Sequence, residues 1–383
     1  MQTFLESFND MCRIIKNLLR NEPVTTVSFL LAVISILFVP IDGQYIDYIN
    51  FKTLGTLLTL MIIMSGLSGQ GFFRNIAGKL LERVTKLRTL GLVLILLCFF
   101  FAMFITNDVS LITFVPFTIE VLLMADQKKY LIPIIVLQTI AANLGSMLTP
   151  IGNPHNLYLY DLSGMKPLEF IGMMLPYSLL AFVLLVVITC IVTGNTTLKP
   201  AKTKKCNIGY ITPFKTTVYL CLFVLSLTII LRILPYYIVL GIVIAVVICV
   251  DRRNLLEVDY FLLLTFFFLF IFIGNMKRID AVSDFLSRIV AGNEFSVSIL
   301  TSQFISNVPA SILISGMTTD YSAVCIGADF GGLGTLIASM ASLISFKLYG
   351  RLPDSRKGRY ILAFSMFSII FLVFLVAEYM LIN

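Results

Sequence analysis

The apolar residues of this chain come in long blocks separated by short polar breaks, with Thr89–Ile105 and Tyr260–Ile273 nearly uninterrupted. A membrane-crossing helix needs roughly 20 such residues. On that rule nine segments read as spans: 24–41, 51–68, 130–160, 168–193, 214–233, 236–250, 258–275, 321–349 and 358–381. Two further apolar segments carry a polar tip, Thr106-Asn107-Asp108 within 89–124 and Ser306-Asn307 within 294–317. At about 1.5 Å per residue, the limbs 294–305 and 308–317 are too short to cross roughly 30 Å of hydrocarbon. Segment 294–317 is therefore expected to enter the bilayer and return as a re-entrant hairpin. Segment 89–124 is assigned the same way by analogy, although its limbs are longer. Ahead of the first span, Phe4, Phe8, Met11, Ile14, Ile15 and Leu18 recur at helical spacing. That predicts an amphipathic interfacial helix over 1–22. Glu6, Asp10 and the lack of a small-residue cleavage pattern argue against a signal peptide there.

Composition agrees with this pattern. The chain is 58% hydrophobic and 13% charged, and its mean hydropathy is +0.96. Soluble domains carry about 25% charged residues, so half that charge cannot cover a soluble surface. Soluble domain pairs, disordered chains, disulfide scaffolds and nucleic-acid binders are excluded, which leaves an all-α polytopic membrane protein. The seven cysteines are scattered without CxxC spacing and read as packing residues, so no metal or redox cofactor is expected. Trp is absent, which leaves Tyr to supply the interfacial belt. The net charge of +7 reads as topology. With the N-terminus inside, 22 of the 28 Lys and Arg fall on the cytoplasmic side and 6 outside. The expected orientation in the cell membrane is N-terminus cytoplasmic and C-terminus outside.

The one linker-like stretch, 194–213, sits in the middle of the chain and separates two halves, 24–193 and 214–383. Thr106-Asn107-Asp108 aligns with Ser306-Asn307-Val308 at an offset of 200, and Asn143–Thr149 aligns with Asp329–Thr335 at 186. Each half reads as a span, a charged amphipathic stretch, a hairpin with an Asn tip (89–124, then 294–317), a Gly-rich interrupted span (130–160, then 321–349) and a final span. The span at 51 starts outside and the span at 258 starts inside, so the repeats are inverted. Inverted repeats with broken helices are the pattern of secondary transporters.

The motifs Thr149-Pro150-Ile151-Gly152-Asn153-Pro154-His155-Asn156, Ser306-Asn307-Val308-Pro309-Ala310 and Gly331-Gly332-Leu333-Gly334-Thr335-Leu336-Ile337-Ala338-Ser339 resemble the ion transporter superfamily. Within it the chain is similar to the citrate-transporter-like permeases, which include the arsenite pump, NhaD-type sodium/proton antiporters and divalent-anion/sodium symporters. The resemblance covers roughly 24–381. It implies a homodimer working as an elevator, with a scaffold domain and a transport domain built from the hairpins and broken helices. The symporters of the superfamily have Ser-Asn-Thr at both tips. Here the tips are Thr-Asn-Asp and Ser-Asn-Val, which favours one carboxylate-dependent coupling step.

Breaks at membrane depth are tolerated only when buried or lining a polar cavity, so they locate the site. Asn153-Pro154 and Ser306-Asn307 followed by Pro309 read as helix starts, whose free N–H groups suit an anion. The preceding half-helices end in carbonyls that suit Na⁺. Asn107, Asp108 and Asn307 are the expected Na⁺-binding residues. Gly145 and Gly331 would let backbone approach an ion, and Thr106, Thr149, Ser306 and Thr335 would complete a cage. Asn143, Asn153, His155, Asn156, Asp329 and Ser339 complete the candidate set. Asp108 is the sharpest of these, because an ionised group at membrane depth is costly and functional by default; its alternative role is to cap its own helix. Asp329 reads as a second ion ligand or a cap, and His155, the only histidine, as hydrogen-bonded structure or a proton relay.

The expected function is secondary transport of a small anion, a carboxylate or oxyanion, coupled to Na⁺ or H⁺. The alternative is Na⁺/H⁺ antiport without an anion. An aspartyl protease is disfavoured because Ala328 replaces the Gly before Asp329, and no HExxH motif occurs. Two hairpins entering from opposite sides fit alternating access better than a channel.

Overall fold

Prolines and short polar side chains set where the helices begin. In the computed structural model, which describes residues 22–81, 84–194, 197 and 212–383, Pro23, Pro154, Pro167 and Pro213 each open a helix. At that position the missing N–H costs nothing. Asn50, Asp259 and Asp320 cap helices by accepting from the N–H groups of Thr53, Phe261 and Ala323. The expected interfacial helix and central linker lie, apart from their ends, outside the described residues, as do Cys12 and Cys206.

The first half comprises α1 (Pro23–Ile36), α2 (Phe51–Gly69), α3 (Phe72–Leu81), α4 (Leu87–Ile105), α5 (Asn107–Met124), α6 (Leu131–Ser146), α7 (Pro154–Ser163) and α8 (Pro167–Thr193). The second comprises α9 (Pro213–Ile230), α10 (Tyr236–Asp251), α11 (Tyr260–Lys277), α12 (Asp280–Val290), α13 (Glu294–Ile305), α14 (Asn307–Ser315), α15 (Tyr321–Gly331), α16 (Met340–Gly350) and α17 (Lys357–Ile382). Among the described residues 7 helices are long and apolar enough to cross a membrane, and no strand forms beyond an isolated Lys86–Thr197 bridge. The protein is an all-helical polytopic membrane protein.

Two features differ in detail from the sequence reading. The segment expected to span 24–41 is a helix of only 14 residues, because Pro40 disfavours helical backbone at Val39 and the Tyr45 hydroxyl donates to the freed Val39 carbonyl. The limbs of 89–124 are α4 and α5, with 19 and 18 residues, each long enough to cross. Their tip nevertheless sits against the break between α6 and α7, where the Asn107 N–H donates to the Gly152 carbonyl at 3.3 Å.

Packing sorts the helices into two groups. Helix α1 lies along α11, and α2 packs on α9 and α10. In the other group α4 packs on α6 and α13 on α15, while α5 meets α16 and α14 meets α7. Each limb after a tip thus packs on a helix of the opposite half of the chain. The two groups join through aromatic and polar contacts. Tyr158 on α7 packs against Phe266 and Phe270 on α11, and the Tyr160 hydroxyl donates to the Ile230 carbonyl at 2.7 Å.

Candidate functional site

The two tips share an unusual backbone. Thr106 sits at φ 68°, ψ 154° and Ser306 at φ 73°, ψ 153°, a region that costs a residue with a side chain roughly 1–3 kcal/mol. A strained bend at both polar tips lets each chain reverse and start a new helix at Asn107 or Asn307. The Asn307 N–H donates to the Ala338 carbonyl at 2.9 Å, the counterpart of the Asn107–Gly152 bond. The Thr149 hydroxyl donates to the Met103 carbonyl, and that of Thr335 to the Gln303 carbonyl at 3.1 Å. These matched pairs fall at the offsets of 200 and 186 read from the sequence.

The helix starts converge. Asn107 and Asp108 of α5, Asn153 and Pro154 of α7, Asn307 and Val308 of α14, and Ser339 and Met340 of α16 line one cavity, closed on its remaining side by the first turns of α1 and α11. Its free volume is about 30 Å³, room for one bare ion or water. Four helix N-termini therefore bring the positive ends of their dipoles to one space. Asp108 faces that space with a buried Oδ1 that has no hydrogen-bond partner among the described residues. The Asp108 carboxylate is not spent on a helix cap; the Asp108 N–H instead donates to Asn107 Oδ1 at 2.9 Å. The matching residue on α14 is the apolar Val308.

Asn143 stands directly behind the lining. Its Oδ1 accepts from Asn107 Nδ2 and from the Ser339 hydroxyl, both at 3.1 Å. Asp329 makes the corresponding contact in the other half, accepting from Asn153 Nδ2 at 3.1 Å. Thus Asn143 and Asp329 each hold, through one polar side chain, the residue just before a helix of the opposite half, Ser339 before α16 and Asn153 before α7. His155 is fully buried beside Asp329. Asn156 donates to the Met147 carbonyl at 3.4 Å and accepts from the Cys325 thiol.

Of the residues singled out from sequence, Asn107, Asp108, Asn153, Asn307 and Ser339 reach the cavity wall. The others support it from behind. Thr106 and Ser306 form the bends, while Thr149 and Thr335 tie the breaks to the hairpin limbs. Gly145 and Gly331 are places of close packing, against the Phe99 backbone and against Ser302.

The wall also holds groups that sequence reasoning passed over: Glu22, Thr25, Asp259 and Thr265. The Thr25 and Thr265 hydroxyls hydrogen-bond at 2.8 Å. Burial pushes the Glu22 carboxyl above the usual range and the neighbouring Asp259 pushes it further, against a downward pull from Lys347. Gln303 was also missed. Its Nε2 donates to the Gly331 and Leu333 carbonyls and its Oε1 accepts from the Thr335 N–H, all near 3 Å. The one signal for Gln303 is a lone amide in an apolar limb.

Residues 17–323 match the family described as citrate transporter. The chain is 33% identical over 332 residues to an uncharacterized transporter of Methanocaldococcus jannaschii, covering 86% of this chain and 89% of that protein. It is 30% identical over 311 residues to an inner membrane protein of Escherichia coli, covering 78% and 80%.

Proposed function

Because this chain belongs to the citrate transporter family, and is a multi-pass secondary transporter rather than an enzyme, we propose that it carries a small anion, a carboxylate or oxyanion, coupled to a cation. The observation that carries this reading is the meeting of four helix starts on one cavity beside Asp108. The positive ends of the helix dipoles suit the anion, and the carboxylate with Asn107 and Asn307 suits the coupling Na⁺ or H⁺. A carboxylate solute exceeds the free volume of about 30 Å³, so loading needs the tips to part from α1 and α11.

In this reading α4–α8 and α13–α17 move as an elevator against α1, α2 and α9–α11, within a homodimer in the cell membrane. Support comes from an imbalance between the two ends of the boundary. Lys52 on α2 pairs with Asp161 on α7, and Arg232 Nη1 donates to the Gly164 carbonyl at 2.8 Å. The cavity is lined at its other end by Glu22 and Asp259, which lie on the side that the Lys/Arg distribution makes cytoplasmic. On this reading the protein is sealed outside and would open inward. Cysteines at positions 52 and 161, in a background with the native cysteines replaced, should cross-link and cut uptake more than about tenfold, which is about 1.4 kcal/mol in rate, with recovery on reduction. Full uptake by cross-linked protein would show that this end does not open.

The direct test of the function is a thermal-shift screen of purified protein against carboxylates, arsenite, sulfate and Na⁺, followed by proteoliposome uptake of the stabilising anion. Uptake should follow an imposed Na⁺ or H⁺ gradient. One observation favours a second reading, Na⁺/H⁺ antiport: Glu22, Asp108 and Asp259 share an ion-sized cavity lined by no Lys or Arg among the described residues. Proton release on adding Na⁺ alone, followed with a pH dye, would select it.

A further inference from the structure

Behind the cavity the two halves differ in one concerted way. At the offset of 186, Asn143 corresponds to Asp329 and Ala341 to His155. One half therefore places an uncharged amide near an alanine, and the other places a carboxylate against an imidazole. His155 Nε2 lies 3.2 Å from Asp329 Oδ1, with both side chains buried. The pair lacks the alignment of a hydrogen bond, and Asp329 Oδ2 and both imidazole nitrogens have no hydrogen-bond partner among the described residues. The packed elements also carry Cys325, whose thiol donates to Asn156, Tyr158, which pairs with Ser315, Tyr160 and Asp161 on α7, Tyr321 on α15, and Lys357, Arg359, Tyr360, Glu378 and Tyr379 on α17. At the ends of these elements, Lys52 is held by Asp161 and Glu294 accepts from Thr318. Among the described residues no Lys or Arg pairs with the Asp329 carboxylate, and an uncompensated buried charge is strongly unfavourable.

We propose that His155 and Asp329 form a proton-binding site, holding one proton as an imidazolium–carboxylate pair whose occupancy sets the charge behind the start of α7. This inference rests on the anion reading above and names its coupling ion as H⁺. Asp329 grips Asn153, the residue before α7, and Asn153 and Pro154 line the cavity. With the proton bound the pair is neutral, and the α7 N-terminus presents its positive end to an anion. With the proton lost, a full negative charge sits behind that terminus and repels the anion. Proton and anion therefore bind cooperatively, and each strengthens the other by the same factor.

The single histidine makes this directly measurable. In the full chain in lipid nanodiscs, ¹⁵N-histidine labelling reports one imidazole. It should show an imidazolium signal that is lost at the same pH in Asp329→Asn. Adding citrate or sulfate should move the wild-type midpoint up by about one pH unit, equivalent to tenfold tighter anion binding at the lower pH. An imidazole that stays neutral in both proteins, with no protonated-carboxyl infrared band that Asp329→Asn removes, overturns the site whatever the solute is. A titrating pair whose midpoint neither anion moves overturns the coupling, while the uptake assay judges anion transport separately. Asn is the residue its counterpart already carries, and if Asp329→Asn does not fold, the pH dependence of the wild-type signals decides alone.

Discussion

Replacing Asp108 with Asn should lower gradient-driven uptake in proteoliposomes by at least about tenfold, or about 1.4 kcal/mol in the driven step, while the protein still folds. The substitution keeps the shape and removes only the charge. A carboxylate whose buried oxygen has no protein partner is maintained against its desolvation cost, and at membrane depth such groups belong to ion pathways. Its setting sharpens the expectation. Asp108 is the second residue of a helix that begins on the cavity, and the corresponding residue in the other half is Val308. The corresponding position on α14 therefore supplies no charge of its own. Uptake should fall while binding of the anion, followed by thermal shift, persists, because the helix starts remain. Unchanged dependence on the Na⁺ or H⁺ gradient in Asp108→Asn would remove this residue from coupling.

The second large effect is structural. A methyl group at Gly152 would lie 2.1 Å from the Ser146 carbonyl oxygen, and one at Gly145 would lie 2.1 Å from that of Phe99. Both obstacles are backbone, so neither can swing aside as a side chain would. Gly152 belongs to the break that brings Asn153 to the cavity, and its own carbonyl receives the Asn107 N–H. Gly145 is where α6 passes α4. Gly152→Ala and Gly145→Ala should each destabilise the protein by about 3 kcal/mol or more, at the upper end of overpacking effects. Thermal melting in detergent and the yield of monodisperse protein measure this. Gly172→Ala, where nothing lies within 4 Å, is the control and should melt like the unmodified chain. Equal melting of all three would mean that the breaks are loosely packed and do not position the site.

Much of this was legible in the chain. Asn107, Asp108 and Asn307 stood out because a polar residue between apolar limbs has no structural reason to be at membrane depth. Asn153-Pro154 stood out because Pro after Asn marks a helix start. The roles of the threonines were not legible. Thr149 and Thr335 look like cage hydroxyls in sequence, and only the neighbouring limb shows which carbonyl each one serves. Glu22 and Asp259 look like polar ends that anchor spans, because nothing local indicates that α1 and α11 lie side by side. The His155–Asp329 contact joins residues 174 positions apart, and no periodicity reports such a pair.

Hydrophobic blocks longer than a soluble helix can hide determined the class, and the spacing of polar tips and glycine-rich breaks determined where the site would be sought. These are local properties, because backbone N–H and C=O groups inside hydrocarbon must be satisfied within the segment itself. Which carboxylates face the cavity, which hydroxyls tie the breaks and which charge pairs with the single histidine were decided by tertiary structure. Those outcomes depend on how α5 meets α16 and α7 meets α15, and that packing is a property of the assembled halves rather than of either one alone.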